Sequence, residues 1–376
     1  MAKIKGLIPI ILLSLIPVLL IWTPFLLRFK TFWTIPLPQQ GMATIVANFD
    51  GPLYLAVAKT FYDPLSLGAN YQFPLSNEYY SAHFPLFPIL IKVFSPILGH
   101  PYSMLFVTLL SSVFALYFFY IHLREYLSKE NSLFLTAIFS IFPARWLIVR
   151  SVGSPEPLFV ALILASVYYF RKEKYLFAGI AGFFAQMTKS PAILLFIAYL
   201  IQIIIPHLKN IKKLEIKKYL PLLLIPAGLL AVFSIYAIRY GDFFTYFKSG
   251  DNIHLFFPPF QIFNYSAPWV GTFWLEEVIF IYAICVLGIY KLYQEKMMTY
   301  FYFSLVFFVS LVFVAHRDLL RYTLPIVPFL LIAFRELLIK KEFKIVMAVI
   351  IIPIYLYSLA FISQNAMPIA NWSPFL

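Results

Sequence analysis

The run MAKIKGLIPIILLSLIPVLLIWTPFLL, residues 1–27, decides the class of fold. Lys3 and Lys5 precede an apolar stretch from Gly6 to Leu27. A bilayer core takes about 20 apolar residues per helix, and this stretch is long enough. It is too long for the apolar region of a signal peptide, and no small-residue cleavage site closes it. The expectation is an uncleaved first membrane helix with a basic, cytoplasmic N-terminus.

The same reading extends to the whole chain. Hydrophobic residues make up 62% of the 376 positions and charged residues only 12%, with a mean hydropathy of +0.85. An ordinary soluble domain is about half apolar and a quarter charged. A larger core cannot absorb that difference, because a soluble surface still needs polar cover. The excess therefore faces lipid. Apolar spans are expected at 7–28, 101–122, 131–148, 155–170, 175–188, 190–206, 220–238, 271–292, 299–315, 322–339 and 343–362. The predicted fold is an all-α polytopic membrane protein of about eleven transmembrane helices, in one domain over 1–376. The stretch 84–98, with Pro85, Pro88 and Pro96, reads as a partial or re-entrant span.

The formal charge of +13 does not point to nucleic acid. Lys209, Lys212, Lys213, Lys217 and Lys218 sit in one loop between apolar spans, the ordinary signal for a cytoplasmic loop. Arg171, Lys172, Lys174, Lys340 and Lys341 fall on the same side if the N-terminus is inside. The longest outer loop is then 29–100, carrying Asp50, Asp63, Glu78 and His83. With no organelle retention motif, a bacterial or archaeal plasma membrane is preferred to endoplasmic reticulum. The single cysteine, Cys285, excludes an intrachain disulfide.

Three outer stretches could carry chemistry. In Asn48-Phe49-Asp50-Gly51-Pro52-Leu53-Tyr54, proline suits the first turn of a helix. Asp50 then precedes a short helix over 52–62, expected to lie in the membrane interface. Asp50 is either a general base or a plain helix cap. Ser154-Pro155-Glu156-Pro157 puts Glu156 at the mouth of a span, with Arg150 as a candidate salt-bridge partner. His316-Arg317-Asp318-Leu319-Leu320-Arg321-Tyr322 places two arginines four apart, which share a face if that segment is helical. A guanidinium fork matches phosphate oxygens, although interfacial arginines also simply snorkel. Lys189, in Thr188-Lys189-Ser190-Pro191, is a further cation. His83 and His316 lack the spacing of metal ligands on one element and read as structural. No His/Cys cluster, HExxH pattern or Gly-rich phosphate loop is present.

The order of these stretches resembles the GT-C superfamily of membrane glycosyltransferases, which use polyprenyl-phosphate-linked sugars. The likeness covers about residues 45–330 and is strongest to the GPI mannosyltransferase II type, whose WDxxxY, FFPLYP and ESLF stretches run in the same order. Asp50 and Tyr54 match the first stretch, Phe84, Pro85 and Pro88 the second, and Glu156, Leu158 and Phe159 the third. Lys189 stands where relatives often carry arginine, and Arg321-Tyr322 precedes a late proline-rich span. Phe49 replaces the usual Trp, and Pro157 a small polar residue.

The resemblance implies a hexosyltransferase, with mannose as the sugar. Asp50 would deprotonate an acceptor hydroxyl, which attacks C1 of a sugar on a polyprenyl phosphate with inversion. Tyr54, His83, Glu156, Lys189, Arg317 and Arg321 would bind substrate, with the cations stabilising the lipid phosphate as it leaves. No metal ligands and no organic cofactor are expected, and a divalent metal requirement is left open. Partners would be the polyprenyl-phosphate sugar, a lipid, glycan or protein acceptor, and the bilayer. The competing readings are a lipid or sugar transporter and an enzyme moving another phospho-lipid group.

Overall fold

The computed structural model describes residues 7–71, 73–208, 215–272 and 275–376. Lys3, Lys5, Lys209, Lys212 and Lys213, read above as cytoplasmic, lie outside the described residues.

The architecture is helical, with one minimal hairpin pairing Thr31–Phe32 with Ile35–Pro36. Among the described residues five helices are long and apolar enough to cross a membrane: Ile8–Leu26, His100–Leu123, Ser190–His207, Ile216–Tyr240 and Lys341–Gln364. The pair Lys129–Ile141 and Ala144–Ser151 makes a sixth if counted as one span bent by 72°. Eleven apolar segments were expected, and the difference has local causes. Tyr175–Thr188 and Met298–Leu311 have 14 residues each, so each reaches only about 21 Å against a hydrocarbon core of about 30 Å. The segment expected as one helix over 322–339 is divided into Leu319–Thr323, Val327–Ala333 and Arg335–Leu338. Pro325 lies in the first break and Pro328 in the first turn of the helix after it, and each lacks a backbone donor.

At the centre, Glu156–Arg171 packs between Tyr175–Thr188 and His100–Leu123. Tyr175–Thr188 in turn lies close against the segment from Pro221 to Tyr240. A Cβ on Gly179 would sit 2.1 Å from the Pro221 carbonyl oxygen, so only glycine permits this approach. Small residues at helix contacts serve the same end in membranes generally, where close backbone packing replaces the hydrophobic drive.

The stretch 29–100 folds into short helices, Met42–Val46, Gly51–Thr60, Pro64–Asn70 and Leu86–Leu98, with a 3-10 turn over Asn77–Ala82. Gly51–Thr60 is not an interfacial helix. Every residue from Gly51 to Ala58 is buried, because Leu86–Leu98 and His100–Leu123 pack against it. The helix thus holds its own N-terminus rigidly within the protein.

Candidate active site

Asp50 stands at the entrance to that buried helix, on a turn fixed from several sides. Asn48 is fully buried and donates from Nδ2 to the carbonyls of Thr44 (3.0 Å) and Ile362 (2.8 Å). Met367 N donates to the Ala47 carbonyl at 2.7 Å, so the end of Lys341–Gln364 clamps the turn. Phe49 adopts a left-handed φ of 48°. A Cβ on Gly51 would fall 2.3 Å from the Val46 carbonyl oxygen, so the aspartate must be followed by glycine. The helix begins at Gly51, putting Pro52 in its first turn. The Asp50 side chain makes no capping bond to it, which leaves the carboxylate for other work.

That carboxylate faces Arg321. Arg321 Nη2 lies 3.6 Å from Asp50 Oδ2, and its Nε donates to Glu156 Oε1 at 2.7 Å. Lys189 Nζ donates to the same Glu156 oxygen at 2.8 Å. Ser154 Oγ donates to Glu156 Oε2. Arg321 lies over the Phe49 ring, 4.4 Å from its centroid, a cation–π contact that holds the guanidinium plane. Burial opposes the Arg321 charge, but Glu156, Asp50 and Asp318 outweigh it and push its pKa above the ordinary value.

Four residues distant in sequence are therefore joined in one network, and their burial separates their roles. The Glu156 side chain is 4% exposed, that of Asp50 38%. Glu156 is a buried anchor for two cations; Asp50 is open to an incoming molecule. The Glu156 turn is itself fixed, since Ser154 N donates to Thr108 Oγ1 at 3.2 Å. Pro157 sits in the first turn of its helix, where the missing N–H has no partner to lose.

Other expectations are redrawn. Arg150 is not the partner of Glu156. It is fully buried, donating to the Ser14 carbonyl and hydroxyl at 2.9 and 3.0 Å and to the Ser140 carbonyl. Arg317 and Arg321 do not share a helix face, because the helix Leu319–Thr323 starts after Arg317. Arg317 is exposed and makes no ion pair with a described residue. Asp318, between them, pairs with Arg145 at 2.9 Å.

Tyr54 and His83 line the buried side of the same turn, their rings edge to face at 4.8 Å. Burial pushes the Tyr54 phenol well above its usual pKa, so it stays protonated. Burial also lowers the His83 pKa, against the pull of Asp50. His83 Nδ1 is buried without a hydrogen-bond partner among the described residues. Among the described residues no group of three or more His, Cys, Asp or Glu is placed to hold a metal ion.

A cavity of about 310 Å³ opens beside the network. Glu156, Lys189 and Arg321 line it, and the rest of its wall is largely apolar, from Phe159, Leu194, Phe233 and Leu311 among others. It offers cations and an apolar recess together.

The backbone as a whole superposes on a known arrangement. The structure is similar to that of ArnT from Cupriavidus metallidurans bound to undecaprenyl phosphate, at a TM-score of 0.58 and 12% identity. The chain shares the helical membrane fold of ArnT. The match covers 90% of this chain and 62% of ArnT. The apo form of ArnT matches at 0.54 and 13% identity, over 82% and 61%. The chain thus spans about three-fifths of the length of the ArnT chains. No protein-family model matches it, and no curated protein matches it in sequence.

Sequence reasoning missed the supports of the site. Phe49 beneath Arg321, Asn48 reaching Ile362 and Ser154 on Glu156 are all contacts of ordinary residue types. Only the adjacency of Asn48, Phe49 and Ser154 to motif residues could have drawn attention to them.

Proposed function

We propose that this chain is a membrane glycosyltransferase that moves a sugar from a polyprenyl phosphate to an acceptor hydroxyl, with inversion, at the outer face of the membrane. The observation that carries the reading is an accessible carboxylate, Asp50, set against a guanidinium that a buried carboxylate, Glu156, holds at the edge of an apolar cavity. The ArnT structure of the same fold was bound to undecaprenyl phosphate, which supports a donor of that class.

On this reading Asp50 takes the proton of the acceptor hydroxyl. The oxygen attacks C1 of the sugar from the face opposite the phosphate. The bond from C1 to the phosphate oxygen breaks, and the electron pair leaves with the polyprenyl phosphate. Arg321 and Lys189 lie where the negative charge accumulates, and fixed cations there act without reorganising. Glu156 does not touch the reacting atoms; it positions both cations. Tyr54 and His83 shape the floor beneath Asp50. Arg317, exposed and without an ion pair among the described residues, contributes to donor binding at the rim. The polyprenyl tail occupies the apolar cavity. Mannose as the sugar rests on the motif likeness to the GPI mannosyltransferase II type.

We assign the end carrying Asp50 to the outer side and the N-terminus to the cytoplasm, from the lysine and arginine bias. The membrane is a prokaryotic plasma membrane, or endoplasmic reticulum in a eukaryote. The acceptor is a lipid, glycan or protein hydroxyl, and the chain works as one membrane domain. Transfer of radiolabel from a polyprenyl-phosphate sugar to extracted lipid, glycan or protein tests the reading. Transfer that needs Asp50 supports it. Movement of donor or sugar across vesicles without any covalent product would make the chain a transporter.

A further inference from the structure

A larger cavity, about 510 Å³, lies at the opposite end of the molecule. The helix Glu156–Arg171 connects the two, with Glu156 at one site and Arg171 at the other. Sixteen residues of helix put the two ends about 24 Å apart. This second cavity is polar where the first is apolar, and none of the residues proposed for sugar transfer lines it.

Its carboxylates are already engaged. Glu173 pairs with Lys218 at 3.0 Å, and Glu295 pairs with Arg335 at 2.6 Å and Lys291 at 3.9 Å. Arg171 is held by Glu125 and by the Tyr126 hydroxyl. Lys296, in the lining, makes no ion pair with a described residue. Gln202 donates from Nε2 to Thr299 Oγ1 at 3.0 Å, but its buried Oε1 has no hydrogen-bond partner among the described residues. A cation and an acceptor that lack partners among the described residues thus line one cavity. A buried acceptor without a donor is unfavourable, and a ligand hydroxyl would satisfy it. Beside the cavity the chain turns outward through Ile204, Ile205 and Leu208, which are 40%, 45% and 62% exposed. The apolar skirt and the polar recess together have the amphipathic pattern of a lipid at the membrane interface.

We propose that this cavity binds the headgroup of an anionic phospholipid bearing a free hydroxyl, of the phosphatidylglycerol class. The phosphate meets Lys296, the headgroup hydroxyl donates to Gln202 Oε1, and the acyl chains lie along Ile204, Ile205 and Leu208. Phosphatidylcholine supplies no headgroup donor and no net charge, so it binds less well.

The test uses the full chain in mixed micelles, read by thermal unfolding and by lipid retained in native mass spectrometry. Added phosphatidylglycerol should raise the melting temperature more than phosphatidylcholine, and should be retained. Lys296→Gln should weaken the half-saturating lipid fraction about tenfold, as loss of a charged hydrogen bond implies, and Lys296→Arg should restore it. Gln202→Met should narrow the preference for phosphatidylglycerol over phosphatidylcholine. Lys296 is exposed, so its variants should melt like the wild type without lipid. Equal shifts from both lipids, or an unchanged response in Lys296→Gln, would overturn the proposal. A full shift from inorganic phosphate alone would replace the lipid by a free anion and overturn it equally.

Discussion

Arg321 and Glu156 meet at 2.7 Å between Nε and Oε1, although 165 residues separate them along the chain. The same guanidinium turns its Nη2 toward Asp50. A single arginine thus links a buried carboxylate to an open one, and its position depends on the first while its chemistry is directed at the second. Breaking a buried pair on one side leaves an uncompensated charge, at about 3–5 kcal/mol. The 29% exposure of Lys189 and the 16% of Arg321 lessen that cost here.

Glu156→Ala should therefore destabilise the protein and also lower transfer, by releasing both cations. Glu156→Gln keeps an acceptor for one of them and should be milder on both counts. Melting curves and initial rates on purified protein separate the two effects. A Glu156→Ala protein with wild-type rate would remove Glu156 from any positioning role.

Arg321→Lys should impair transfer even though it keeps the charge. An ammonium cannot reach Glu156 and Asp50 from two edges at once, nor lie flat on the Phe49 ring. Arg317→Lys should change little, since Arg317 is exposed and pairs with no described residue. Comparable losses in the two variants would contradict the geometry.

The paired behaviour of these arginines marks what was legible beforehand. Asp50, Glu156, Lys189 and Arg321 lie in stretches whose order resembles a family, and the structure brings the four together. The ends of most helices also fell near the edges of the apolar runs. The helix breaks were harder to see, because a run such as 322–339 stays apolar through Pro325 and Pro328. The partner of Arg150 was misjudged from nearness in sequence. Its real contacts, Ser14 and Ser140, come from other helices and carry no charge to betray them. Burial of Gly51–Thr60 was equally hidden, since a short apolar helix looks the same whether it meets lipid or protein.

Gly51→Ala should cost about 1–3 kcal/mol, the usual range for overpacking, because its Cβ would strike the Val46 carbonyl. It should also displace Asp50 and so reduce transfer. Gly68→Ala is the contrasting case, with nothing within 4 Å of its Cβ, on an exposed helical position. It should stabilise by about 0.4–1 kcal/mol. A Gly51→Ala protein as stable as Gly68→Ala would mean that the turn is not as tightly built as the contacts imply.

Acid should destabilise the fold through the partly buried His316 and the buried His83. Burial, then neighbouring His254 and Arg321, lowers the His316 pKa from 6.5 to about 3, and burial lowers that of His83. Each depressed value means that the unfolded chain binds a proton at a pH where the folded one does not. Their contribution is complete above about pH 6.5 and is lost as pH falls toward 3. His316 Nδ1 accepts from Asp318 N at 2.9 Å, a bond that needs an unprotonated nitrogen. His316→Asn, whose side-chain oxygen can take the same bond, should flatten the decline in melting temperature below pH 6.5. An unchanged pH profile in that variant would place the acid sensitivity elsewhere.

The last prediction concerns Asp50, the group on which the proposed chemistry depends. It is more open than Glu156, it makes no cap bond to its own helix, and its turn is clamped by Asn48, Gly51 and Met367. Asp50→Asn changes neither size nor the backbone requirement, and the buried contacts of Asn48 and Gly51 do not involve it. The variant should therefore fold and melt close to the wild type, apart from the loss of a partly exposed ion pair worth at most about 1 kcal/mol. It cannot accept a proton. Transfer from the polyprenyl-phosphate sugar should fall by about 10²–10⁴, the range for a lost general base, while donor binding through Arg321 and Lys189 should persist. Asp50→Glu should recover part of the rate, because the carboxylate returns on a longer arm. Normal turnover in Asp50→Asn would mean that another group takes the proton, and the inverting mechanism would have to be rebuilt around it.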